Sequence, residues 1–167
     1  MLERIGFDAL TERDLFFLAL ARPADLPRVE LTSQHFACFI AWDSEPASAE
    51  EISSLVEPLI NAGAAYFCTW GKGCQRVHDI VDEIDAYPYD TVGATDEDSV
   101  IMTTWHENES LEDALYFFLT ATSPAVYFEA TFKSSLAISV GSQEWASAIR
   151  YIMADTEAFR KRIESNM

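Results

Sequence analysis

Three times the chain runs a short apolar segment into a tryptophan, then a polar or glycine-bearing turn, then a helix-like pattern. The segments are FIAWDSE from Phe39, FCTWGKGC from Phe67 and MTTWHENES from Met102. An apolar run of roughly four to eight residues followed by a 3.6-residue period marks a βα unit, and several in succession predict a largely parallel sheet. The expected fold is therefore α/β: one three-layer domain with a four-stranded, mainly parallel sheet in flavodoxin-like order, flanked by helices. With 167 residues, 49% of them hydrophobic, the chain has the size of one domain. We divide it into an N-terminal helix and loop over 1–34, a core over 35–152 and a C-terminal helical extension over 153–167.

Local signals place the elements. Thr11 and Asp14 resemble a capping pair ahead of Leu15, Phe16, Leu18 and Leu20, which predicts a helix over 11–21. The first strand reads His35–Trp42, and Ser48 with Glu51 opens a helix that Gly63 closes. A second strand, Ala65–Trp70, turns through Gly71-Lys72-Gly73 into a helix ending near Tyr87-Pro88, and 90–98 reads as a solvated acidic loop. The third strand is Val100–Trp105, with Ser110 and Asp113 starting the next helix. Residues 125–133 alternate like an edge strand, but Leu136–Val140 is the better fourth core strand. One long helix follows Gly141-Ser142 through Ile163.

Formal charge is −17, and between Arg28 and Lys133 nineteen acids face only Lys72 and Arg76. Such a surface repels phosphate backbones and anionic membranes, so nucleic acid and membrane partners are not expected, whereas a basic protein partner is. No stretch approaches the roughly 18 apolar residues of a membrane-spanning helix, and the first residues lack a signal-peptide core. A soluble, cytoplasmic protein is expected. Cys38, Cys68 and Cys74 are an odd number, the first two inside apolar runs, as for reduced core cysteines.

If the three tryptophan strands align, Trp42, Trp70 and Trp105 occupy equivalent positions on one face, and Asp43, Gly71 and His106 point the other way. Ligands in open parallel sheets bind beyond the carboxyl ends of strands where the strand order reverses, here expected between the Asp43 and His106 loops. The residues this edge offers to a ligand or partner are Trp42, Asp43, Trp70, Lys72, Arg76, Trp105 and His106. Gly71-Lys72-Gly73 opens a helix, where backbone N–H groups accept an anion, although the spacing is not that of a Walker loop and a simple tight turn explains it too. Asp43, Glu45, His106, Glu107 and Glu109 suit acid–base work or a cation, or simply favourable charge near helix starts. Cys68, Cys74, His78 and His106 have the ligand types of zinc but not its usual short chelating spacing, so core packing is the better account. His78 and Asp82, four apart, read as an oriented imidazole or as an ordinary solvated face.

The segments CTWGKGCQRVHDIVDE (Cys68–Glu83), VIMTTWHENESLEDALYFFL (Val100–Leu119) and LAISVGSQEW (Leu136–Trp145) resemble a family of small bacterial proteins described only as a domain of unknown function. That resemblance spans roughly residues 35–152 and implies a bacterial cytosolic origin. FIAWDSEPASAEEISSLVEPLINAG is similar to the opening strand and helix of Toll/interleukin-1 receptor domains, whose relatives include NAD-cleaving enzymes. This likeness ends near residue 65 and implies architecture only. The leading expectation is a non-enzymatic acidic interaction module, inhibitor- or immunity-like, that binds a basic partner. The alternative is a small-molecule or nucleotide site at the sheet's C-terminal edge, one that could support hydrolysis. No catalytic residue, metal site or cofactor is predicted.

Overall fold

The computed structural model describes residues 1–86 and 97–167. In chain order its strands and helices are β1 (Glu3–Asp8), β2 (Arg13–Leu20), β3 (His35–Ala41), α1 (Ala49–Ala62), β4 (Ala64–Trp70), α2 (Cys74–Ala86), β5 (Met102–His106), α3 (Leu111–Ala121), β6 (Phe132–Val140), α4 (Gln143–Ala154) and α5 (Thr156–Ser165). The architecture is α/β, one sheet with helices on both faces. The sheet has six strands rather than four and is mixed, in the order β1-β2-β6-β3-β4-β5. Strands β2, β6, β3, β4 and β5 run parallel to their neighbours, and β1 is antiparallel to β2.

The segment read as a helix over 11–21 is strand β2. Its side chains alternate between two cores, with Leu15 and Phe17 in one and Phe16, Leu18 and Leu20 in the other. A strand covered on both faces is apolar at every position, and that continuity hides the period of two. Thr11 and Asp14 are not a cap: Thr11 donates to Asp8 Oδ2 at 2.7 Å, and Asp14 accepts from Arg4 at 2.7 Å. Glu12 takes a left-handed conformation (φ 56°) in the β1–β2 turn. Flavodoxin-like order fails as well: it would set β5 beside β3, whereas β3 lies between β6 and β4 and β5 is the outer strand beyond β4.

The serine capping signals and the Gly63 C-cap hold. Ser48 caps α1 by accepting from Glu51 N at 3.1 Å, and Gly63 ends it with φ 114°. A β-carbon at Gly63 would stand 2.0 Å from the Gln34 carbonyl oxygen, so this C-cap also permits the close approach of the chain entering β3. Ser110 caps α3 and Ser142 caps α4. Residues 126–131 form a 3-10 turn rather than an edge strand, and β6 is longer than expected. The single long C-terminal helix divides at Asp155, whose φ of −149° breaks α4 and whose carboxylate caps α5 through Ala158 N at 3.0 Å. Of the acidic loop at 90–98, residues 90–96 lie outside the described residues, as does the expected helix end at Tyr87-Pro88.

Helices α1 and α2 bury Ile52, Leu55, Val56, Leu59, Val77 and Val81 against one sheet face. Helices α3, α4 and α5 bury Leu115, Phe118, Ile149, Ile152 and Phe159 against the other, where Phe39 and Phe118 meet at 5.4 Å. Neighbouring strands β3 and β6 therefore send their following helices to opposite faces, and so do β4 and β5. Each divergence opens a crevice at the carboxyl edge of the sheet. The reversal of order lies between the Asp43 and Gly141-Ser142 loops, not between those of Asp43 and His106. Among the described residues no helix is long and apolar enough to cross a membrane.

Candidate functional site

The β3–α1 and β4–α2 loops are zipped together. Trp42 N donates to Trp70 O at 3.0 Å, Ser44 N to Lys72 O at 2.8 Å, and Glu45 N to the same oxygen at 3.1 Å. Gly71 (φ 113°) lies so near that a β-carbon there would stand 2.3 Å from Trp42 O. The glycines of the turn are thus required by the approach of two loops. Asp43 completes the junction by accepting the Lys72 N–H at 2.9 Å, which sets a carboxylate where an anion at the start of α2 would sit. The guanidinium of Arg76 donates to three carbonyl oxygens, of Ser44 (3.1 Å), Glu45 (3.2 Å) and Ala47 (2.9 Å). It clamps the start of α1 and faces neither crevice. Both basic residues are exposed, but only Lys72 lines a crevice.

Asp43, Trp70, Lys72 and His106 do converge on one crevice of about 320 Å³, with Trp145 and the 107–109 turn. Trp42 and Asp43 line a second, of about 340 Å³, with Arg22 and Ser142. Trp145 borders both, and its indole meets that of Trp70 edge to face at 5.1 Å. Trp145 is not among the residues that the sequence offers at this edge. The signal that it belongs to the edge is the SVGSQEW run, a fourth strand–turn–helix start with its tryptophan after the turn.

The three indoles do not share a rim. The register pairs Ala41 with Trp70 and Trp70 with His106, whereas Trp105 pairs with Thr69. Trp42 and Trp105 are each one residue out of step with Trp70, and a one-residue offset turns a side chain to the other face. Trp42 is buried in the core beneath α1, and Trp70 packs on the α3–α4 side. Trp105 lies on the α2 face, its ring 4.4 Å from that of His78, and is 44% exposed. His106 points to the same face as Trp70, not away from it.

His106 is buried and saturated. Nδ1 lies 2.9 Å from Glu109 Oε2, Nε2 lies 2.9 Å from Thr104 Oγ1, and the ring packs on Phe117 at 4.8 Å. In the neutral ring the carboxylate, which only accepts, holds the proton on Nδ1, so Nε2 accepts the Thr104 hydroxyl. Trp70 Nε1 donates to Glu109 O at 2.9 Å, and the 107–109 turn is thereby tied to β4 and β5. Burial pushes the Cys68 thiol up to about 12, and its thiolate is removed from the chemistry of neutral pH. Cys68, Cys74, His78 and His106 are not gathered into a ligand set, and among the described residues no group of three or more such side chains could hold a metal.

A different surface forms around His78. Its Nδ1 hydrogen-bonds Thr103 Oγ1, and its Nε2 lies 3.3 Å from Asp82 Oδ2 and 3.9 Å from Asp79 Oδ1. Thr103 also donates to Asp82 Oδ1 at 3.1 Å. Helix α2 carries Asp79, Asp82, Glu83 and Asp85 against Arg76 alone.

The model of a family described as a domain of unknown function (DUF7684) matches residues 15–156, a span that takes in both crevices and β5. No curated protein and no solved structure matches the chain.

Proposed function

The chain belongs to the DUF7684 family, and we propose that it is a non-enzymatic, acidic interaction module that engages a basic protein partner through the α2–β5 face. The observation that carries this reading is Trp105, 44% exposed on an edge strand. Asp79 and Asp82 stand beside its stacking partner His78 with 63% and 54% of their side chains exposed. Half-exposed indoles serve as anchors in interfaces, and a field of carboxylates around one attracts a cationic surface. A net charge of −17 adds long-range steering, so association should be fast and should weaken with salt. The polar groups of the C-terminal edge, by contrast, already serve the fold: Asp43 holds Lys72 N, Arg76 holds three carbonyls and Glu109 holds His106.

Immobilised wild type and Trp105→Ala, challenged with host lysate at low and high ionic strength, test the reading. Expected is a basic protein retained by the wild type, released by salt and lost with the variant. A partner indifferent to salt, or held equally by the variant, overturns it.

One observation favours a second reading, a small-molecule site. Trp70, Trp145 and the exposed Lys72 share the crevice between β4 and β5. Thermal stabilisation by a nucleotide or another anion, lost on Lys72→Ala, would carry it, because a ligand at a hundred times its Kd adds about 2.7 kcal/mol.

A further inference from the structure

The two edges of the sheet are treated differently. Edge strand β1 carries the devices that block pairing with another chain. Its register shifts at a bulge between Arg4 and Gly6, and its charges are engaged, Arg4 with Asp14 at 2.7 Å and Glu3 with Arg150 at 2.6 Å. Strand β5, MTTWH, has no bulge, proline, lysine or carboxylate within it, and among the described residues it is paired on one side only, with β4. Met102 and Trp105 are exposed on it, on opposite faces.

Resting on the reading of an acidic module above, we infer that β5 receives a basic, extended segment of the partner as an added strand. Main-chain bonds to the open edge would supply binding without regard to sequence, and alternate side chains would supply selectivity. Residues of the incoming strand on the α2 face would lie beside Trp105, Asp79 and Asp82, a setting that favours Arg or Lys over the indole ring. Residues on the other face would lie beside Met102 and Thr104, which favours an apolar or β-branched side chain. The occupant is therefore a strand alternating basic and apolar residues. A second copy of this acidic edge would bring carboxylates against carboxylates and does not fit.

The probe is a short peptide alternating Arg and Val, compared with the same peptide N-methylated at every second residue along one edge, and with a Glu–Val peptide. Expected is binding by the Arg–Val peptide, weakened by salt, with amide exchange slowed across 102–106. Each main-chain bond removed by N-methylation should weaken binding roughly twofold to tenfold. Trp105→Ala should weaken it roughly threefold to thirtyfold, with exchange in β3 and β6 unchanged to show an intact core. Equal binding of the N-methylated peptide, or unaltered exchange in β5, overturns strand addition while salt-sensitive binding leaves the acidic-module reading standing. Failure of both basic peptides to bind, or equal binding of the Glu–Val peptide, overturns both.

Discussion

Replacing Asp8 by Asn should be among the most damaging single changes to this fold. Asp8 and Arg160 form an ion pair at the junction of the chain ends, their side chains only 2% and 8% exposed. Arg160 Nη1 donates to Asp8 Oδ1 at 2.8 Å, Nη2 to Oδ2, and Nη2 also to Leu119 O at 2.7 Å. Thr11 and Thr156 donate to the same carboxylate at 2.7 and 3.1 Å. Arg160 Nε is buried without a partner, so the guanidinium depends on Asp8 for its compensation. Removing one member of such a pair leaves an uncompensated charge, at about 3–5 kcal/mol out of a total stability of about 5–15. For a chain of this size each kcal/mol moves Tm by about 2–4 °C, so Tm should fall by roughly 6–20 °C. Burial alone would raise the Asp8 pKa, but the hydrogen bonds from Arg160, Thr11 and Thr156 and the charge of Arg160 outweigh it and hold the group below its ordinary 3.8. A depressed folded-state value means that the contribution is whole above the unfolded-state value and is lost as pH falls through the folded one. Urea melts of wild type and variant should therefore diverge at neutral pH and converge in acid. A difference below about 1 kcal/mol at neutral pH would refute the reasoning, and so would one that persists undiminished in strong acid.

Gly71→Ala should destabilise by more than the about 1–3 kcal/mol of its left-handed backbone alone, because its β-carbon also meets Trp42 O; equilibrium unfolding measures it. Arg76→Ala should free three carbonyls that remain near solvent, lowering stability by about 1 kcal/mol and speeding amide exchange over 43–48, and Arg76→Lys, a point charge, should restore little of it. Burial holds all three cysteine thiols above their ordinary range, Cys68 at about 12, so an alkylating reagent at mildly alkaline pH should leave the native chain unlabelled and modify every cysteine once it unfolds.

Helix starts marked by a serine cap and strands that lead into a tryptophan were legible in the sequence. Ser48, Ser110 and Ser142 each cap the helix that their spacing predicts, and the apolar runs before Trp42, Trp70 and Trp105 are strands β3, β4 and β5. Elements defined by what lies beside them were not. In RDLFFLAL, consecutive large apolar residues satisfy a helical stripe and a doubly buried strand equally, and only the neighbours β1 and β6 decide between them. The placement of β6 between β2 and β3 is a long-range pairing with no local signature, and with it went the expected reversal point. The Asp8–Arg160 pair joins residues 152 positions apart and was invisible for the same reason.

The site was legible in composition but not in register. The sequence names Asp43, Trp70, Lys72 and His106, and the structure brings them to one crevice. Yet apart from the Lys72 side chain the groups that an anion would want there are committed: the Lys72 N–H ahead of α2 is held by a carboxylate, and both nitrogens of His106 are satisfied. Glycine, lysine and a nearby acid are what an anion seat needs, and also what two loops need to pass at van der Waals distance with their backbone donors paired. Sequence cannot separate the two uses, because they differ only in whether the acceptor is a ligand or Asp43. Trp105 is the opposite case. A one-residue offset in the β4–β5 register takes it off the crowded edge and sets it on the open side of the sheet, where its indole is packed on one side by His78 and faces solvent on the other. Recognition is cheapest to place where side chains have least to do for the fold, and that argument supports our proposal that a partner docks on the α2–β5 face rather than in the C-terminal crevices.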